Sequence, residues 1–273
     1  MNAKIQEGKF CIMEADEVDG DLDAIILKGV EGKKAQLVRE GTRIYLVIEG
    51  VRDAAAVAWS GAQSGVWDFA RTANFLTSDA TSDVFVGGDD VLFSDDATTF
   101  AVELSGELPC DTVTVRNTTA YTFSGSGALT GSTVLVKEGT GKLTIGTDNS
   151  YTGGNHLKGG TVSVSSLANS TQPKGNLGAV TTNANLFTIE DGATLQTTAA
   201  ATGDSPIKLV GDEGGIISNS ADFVMNKAFS GTKLTKKGGG WLKLYTNNTS
   251  LATLVVSAGT VATGVATPAK AIQ

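Results

Sequence analysis

Two segments of this chain share one register, and that register limits the fold more than any other feature of the sequence. Val134–Ile145 reads VLVKEGTGKLTI and Lys233–Leu244 reads KLTKKGGGWLKL. At an offset of 99 residues Leu135 meets Leu234, Lys137 meets Lys236, Gly139 meets Gly238, Gly141 meets Gly240 and Leu143 meets Leu242. The same offset carries Gly160-Thr161-Val162 onto Gly259-Thr260-Val261. Chance matches at the two ends of a unit have no reason to keep one offset, so the chain is built from repeats. Shorter echoes recur at Phe187–Leu195, Ile207–Val210 and Gly214–Ile217. Their spacing of roughly twenty to thirty residues is a β-helix coil length, so about four coils fill the offset.

Local pattern says what one coil looks like. Leu135 lies between Val134 and Val136, and Leu143 and Ile145 alternate with Lys142 and Thr144, which predicts one inward and one outward row. A single coil cannot bury its inward row, so coils stack and share parallel sheets. Gly139, Gly141, Gly153, Gly154, Gly159 and Gly160 are expected at corners, where φ is positive or backbones approach too closely for a Cβ. Asn149, Asn155, Asn247 and Asn248 are expected there too, in left-handed geometry or as stacked side-chain ladders. Aromatic residues make up only 6% of the chain, so the core is narrow and aliphatic. The expected fold is all-β, a right-handed parallel β-helix over residues 112–265 with an N-terminal β-rich cap segment. A β-sandwich or jelly roll also has short strands and glycine turns, but its strands have no reason to repeat at one fixed offset.

Charge and aromatic content divide the rest. Residues 1–53 hold 19 of the 50 Asp, Glu, Lys and Arg residues. Short strands are expected there at Lys9–Met13, Ala24–Lys28, Ala35–Val38 and Ile44–Ile48, as a small antiparallel piece or the end of a preceding module over residues 1–56. Residues 57–111 carry Trp59, Trp67, Phe69, Phe75, Phe85, Phe93 and Phe100. The first coil of a solenoid exposes an apolar end, so this stretch is expected to cap it. Residues 266–273 read as a tail.

With the motifs in view, Leu135–Ile145, then Asn149-Ser150-Tyr151-Thr152-Gly153-Gly154, then Leu157-Lys158-Gly159-Gly160-Thr161-Val162 resemble the autotransporter-associated β-strand repeat. The copy at 233–261 keeps the first and last parts and has Asn247-Asn248-Thr249-Ser250 in place of the middle element. Trp59-Ser60-Gly61, Gly65-Val66-Trp67-Asp68 and Gly88-Asp89-Asp90-Val91-Leu92-Phe93 resemble the lead-in to such repeats, with Phe75 where a tryptophan commonly stands. The resemblance spans roughly residues 57–262. It implies a β-helix passenger of a secreted or surface protein from a Gram-negative-type bacterium, facing a host surface or extracellular glycans and joined to neighbouring domains. It implies no single activity. Met1–Gly20 has neither a basic n-region nor an apolar h-region, so both ends are expected to have been cut from a longer precursor.

Candidate chemistry is sparse. His156 is the one histidine, so any Ser-His-Asp or Cys-His arrangement rests on it, and a multi-histidine metal site is excluded by the count. Asp83, Asp89, Asp90, Asp95 and Asp96 form the densest acidic segment; Asp89, Asp90, Asp95 and Asp96 are calcium candidates, although they lack the ligand spacing of an EF-hand or nonapeptide loop. Turn preference alone accounts for Asp in Gly-Gly-Asp-Asp. Lys137 and Lys236 are separated by several coils and do not converge on one substrate bond, and nothing selects a carboxylate pair. Trp241 and Tyr245 share one strand face: packed, they cap or fill the core; exposed, they stack on sugar rings. The packed arrangement is the expected one. A net charge of −8 disfavours nucleic acid, and no apolar run is long enough to span a bilayer. Cys11 and Cys110 are expected as two buried thiols, with a disulfide in an oxidising compartment as the alternative that spacing does not decide. The expectation is a structural or adhesive module without catalysis of its own; a carbohydrate-binding or polysaccharide-lyase-associated module is the alternative.

Overall fold

The computed structural model describes residues 8–15, 22, 25, 34–50, 52–246, 248 and 250–263. The fold is all-β and stacks parallel strands as a solenoid of about eight turns. Three strands precede it: β1 (Gly8–Glu14), β2 (Lys34–Glu40) and β3 (Arg43–Glu49) form an antiparallel sheet in the order β1-β3-β2. Ile44 and Ile48 are its buried residues, and Lys9 bridges Glu40 at 2.5 Å while lying over the Tyr45 ring. Of the strand expected at 24–28, only Ile25 lies within the described residues.

The solenoid begins at β4 (Ala56–Trp59) and β5 (Val66–Trp67), followed by a short hairpin of β6 (Phe75–Leu76) and β7 (Ser82–Asp83). Three-sided coils follow: β8 (Asp90–Phe93), β9 (Ala101–Leu104), β10 (Glu107–Pro109), then β11 (Thr112–Arg116), β12 (Tyr121–Gly125), β13 (Ala128–Thr130). Two coils keep two strands each, β14 (Val134–Glu138) with β15 (Lys142–Ile145) and β16 (Gly154–Leu157) with β17 (Thr161–Val164). The third side returns with β18 (Phe187–Glu190), β19 (Ala193–Thr197), β20 (Ala201–Gly203) and β21 (Ile207–Val210), β22 (Gly215–Asn219), β23 (Phe223–Met225). The last coils are β24 (Phe229–Lys237) with β25 (Trp241–Leu244) and β26 (Leu251–Val256) with β27 (Thr260–Thr263).

One ladder runs β4-β8-β11-β14-β16-β18-β21-β24, a second β5-β9-β12-β15-β17-β19-β22-β24, and a third contains β20-β23-β25-β27. Inward partners stack directly: Val91, Val113 and Leu135 on the first ladder, Tyr121, Leu143, Val162, Leu195 and Ile217 on the second. All of these are buried, as the alternation predicts.

Two expectations change. Coils do not start at residue 112: β8 and β9 pair in parallel with β11 and β12, so the aromatic stretch supplies the first coils of the same stack. Its rings lie inside, with Trp67 touching Phe75, Phe85, Phe93 and Phe123 at centroid distances of 5.2–6.1 Å. Only the hairpin acts as a cover, because β6 pairs antiparallel with β4 and blocks its free edge. The 99-residue offset is also not a whole number of coils. Lys137 stacks on Val115 in the first ladder, whereas Lys236 stacks on Ile217 in the second. β24 passes straight through the bend that separates β21 from β22, so the second copy of the motif turns the next corner.

Those corners are alike in detail. Lys137 and Lys236 point inward and are completely buried. The Lys137 ammonium donates to the carbonyls of Glu138, Gly139 and Gly159; that of Lys236 donates to Lys237, Gly238 and Ala258. Asn149 and Asn248 also keep one role: each Oδ1 accepts from a backbone N–H of the coil before (Leu129 at 2.8 Å, Phe229 at 2.7 Å), and each Nδ2 donates to the carbonyl two residues back. The middle element of the second copy therefore survives in Asn248; Asn247 and Thr249 lie outside the described residues. Asn149, Asn155 and Asn248 work through side-chain hydrogen bonds, since none of the three has a positive φ.

Candidate functional site

Among the described residues of the solenoid, the exposed aromatic side chains, Trp241 and Tyr245, lie on the outward side of β25. The Gly238–Gly240 corner sets the phase of the strand, and alternation then sends Leu242 and Leu244 inward against Phe223 and Met225. Trp241, Lys243 and Tyr245 face out. Trp241 is 48% and Tyr245 54% exposed, so neither packs in the core or under a cap. The expectation of packing fails because residue parity is counted from the corner, and the corner places leucines on the inner row.

The strip has a defined polar frame. Lys243 Nζ meets Asp222 Oδ2 at 2.6 Å, and this hydrogen bond raises the ammonium above its ordinary range. Lys243 lies between the two rings, and the low side chains Val224 and Ala262 flank it on the neighbouring strands. Asn226 follows Met225, whose carbonyl accepts from the Tyr245 amide; it is exposed and donates to Asp204 Oδ1 at 2.7 Å, while Thr260 is paired with Trp241 and is exposed.

The acidic segment is not assembled into a ligand set. Asp89 is fully buried, and both its oxygens are engaged: Arg52 grips it through Nη1 at 2.7 Å and Nη2 at 2.9 Å, and the Ala55 and Val86 amides donate at 2.9 Å each. Arg52 also reaches Asp83 at 2.6 Å. Asp95 accepts from the Thr119 amide and from the Thr118 hydroxyl and amide, which holds its carboxyl below the usual range. Asp96 accepts from the Ser94 hydroxyl, and Asp90 lies exposed at the start of β8. Among the described residues no three His, Cys, Asp or Glu side chains form a metal-holding group.

Other titratable groups are likewise engaged in stacking. Burial pushes Lys137 down to about 8 and lowers Lys236. His156 is half-buried on the outer row, its Nδ1 3.0 Å from the Thr188 hydroxyl of the next coil, and burial lowers it. An open groove along Ala58, Leu76, Leu92 and Thr114 ends at Arg116, whose Nε is bound to Glu138 at 2.8 Å. Both cysteines are free thiols; Cys110 is buried as expected, but Cys11 is exposed, because it lies on β1 of the small antiparallel sheet and not in the solenoid core. The sequence reading missed Arg52 and the inward lysines. No spacing signalled Arg52, whereas Lys137 lies two residues past inward Leu135 and so shares its row. The chain matches no protein-family model, no curated protein and no solved structure.

Proposed function

We propose that the chain is a structural, adhesive β-helix module of a secreted or surface-exposed bacterial protein, where it holds or presents other domains and carries out no catalysis of its own. The observation that carries this reading is the use made of polar groups in the coils. Both buried lysines, Asp89, Asp95 and Asn149 are bonded to backbone or to a partner from a neighbouring segment, so these groups serve stacking. The motifs that resemble the autotransporter-associated repeat support the location, and of their residues Lys137 and Lys236, like Asn149 and Asn248, make the same bonds in both copies. An antibody raised against the module tests this on intact cells that express the parent protein. Labelling without permeabilisation is expected. Labelling only after lysis would overturn the surface reading, and turnover of acidic polysaccharide to unsaturated, absorbing products by the purified module would overturn the non-catalytic one. Carbohydrate binding is the second reading, favoured by the exposure of Trp241 and Tyr245.

A further inference from the structure

The outward strip on β25 has the features of a binding platform for a sugar chain. Trp241 and Tyr245 are large, exposed and four residues apart on one face, which separates the rings by about 13 Å along the strand. Neither ring packs on another aromatic among the described residues, and about half of each residue's surface is open to solvent. Exposed Trp and Tyr on a rigid sheet lose little conformational freedom on binding and present flat apolar faces, which suits stacking on pyranose rings. Val224 and Ala262, two low side chains, flank the intervening Lys243 on the neighbouring strands.

Charge selects the class of chain. Lys243 stands between the rings, and its ion pair with Asp222 at 2.6 Å neutralises it. No unpaired cation is therefore offered to a polyanion by Lys243, and a chain of net charge −8 repels one. What the strip does offer is an ammonium–carboxylate pair, the exposed Asn226 amide and the exposed Thr260 hydroxyl, a mixed set of donors and acceptors matched to sugar hydroxyls. We infer that Trp241, Lys243 and Tyr245, framed by Asp222 and Asn226, bind a linear polysaccharide of uncharged pyranose sugars lying along β25. This rests on the carbohydrate-binding reading and names its ligand class; its failure leaves the scaffold reading, which needs no ligand, standing.

Tryptophan fluorescence isolates the site. Trp59 and Trp67 are buried, at 2% and 0% exposure, so acrylamide should quench Trp241 selectively. Cellohexaose, xylohexaose and mannohexaose serve as probes, with polygalacturonate as the charged comparison. At least one neutral hexasaccharide is expected to protect Trp241 saturably at about millimolar concentration or below. Tyr245→Ala should weaken that binding about tenfold with the melting temperature unchanged, since Tyr245 is exposed. Trp241→Ala should weaken it similarly when read by calorimetry. The inference is overturned if none of the neutral probes protects, if polygalacturonate protects as well as they do, or if both variants bind like the native chain. Concentration-dependent self-association abolished by Trp241→Ala would also overturn it, by making the strip an interface between copies.

Discussion

The Gly238-Gly239-Gly240 corner contains its own control, because the structure constrains the three glycines differently. Gly238 sits at φ +77°, and a Cβ there would lie 2.9 Å from both the N and C atoms of Asn219 in the coil before. Gly240 has no such φ, but its Cβ would lie 2.7 Å from the Ala221 carbonyl carbon and 2.8 Å from Asn219 Nδ2. Gly239 has open space on every side within 4 Å. In Gly238→Ala the left-handed backbone costs roughly 1–2 kcal/mol. Pushing Asn219 away also weakens the Gly240 N–H bond to its carbonyl, now 3.0 Å, which adds about 1 kcal/mol. The expected loss is about 2–3 kcal/mol. Gly240→Ala disturbs the Asn219 amide, which donates to Ala221 at 2.7 Å and Trp241 at 2.9 Å, so about 2 kcal/mol is expected. Gly239→Ala should stay within about 0.5 kcal/mol, and Gly239→Thr should be tolerated equally, because Thr140 occupies that place in the other copy. Urea unfolding followed by circular dichroism reads all four. Equal losses at Gly238 and Gly239 would refute the argument that coil stacking, and not mere loop flexibility, requires these glycines.

Two further outcomes follow from the buried charges. Lys137 has its ammonium held at about 8 against an ordinary 10.5, so the folded chain binds that proton less tightly than the unfolded one. Stability from this group is complete above pH 10.5 and is lost as pH falls through 8, a swing of up to about 3 kcal/mol. The native urea midpoint should therefore gain more between pH 7 and 10.5 than that of Lys137→Met; identical gains would sink the assignment. Arg52→Ala strands the buried Asp89 carboxylate with only its two amide donors, and a loss of about 3–5 kcal/mol in urea unfolding is expected. A loss under about 1 kcal/mol would mean that the pair is not a fixed part of the first coil.

Much of the fold was legible residue by residue. The alternation at Val134–Ile145 correctly separates Leu135, Leu143 and Ile145 from their outward neighbours, and Gly139 and Gly160 do adopt positive φ at corners. The same parity, carried two residues past Leu135, would have placed Lys137 inside. Ammonium groups are ordinarily excluded from cores, and here a ring of corner carbonyls overrides that exclusion. The candidate site was half legible: Trp241 and Tyr245 share a face by spacing, but spacing does not say which face.

By itself the sequence determined that this chain is a stack of short parallel strands with glycine corners, because alternation and turn chemistry act over a few neighbouring residues. Tertiary structure alone decided how the coils register. The 99-residue repeat lands one side further round the solenoid because β24 runs unbroken through a bend that earlier coils make. It also decided that Asp89 answers Arg52 from 37 residues away. Such pairings depend on which coil lies on which, and that is set by inter-strand hydrogen bonds and shared burial across the whole stack, which no local pattern records.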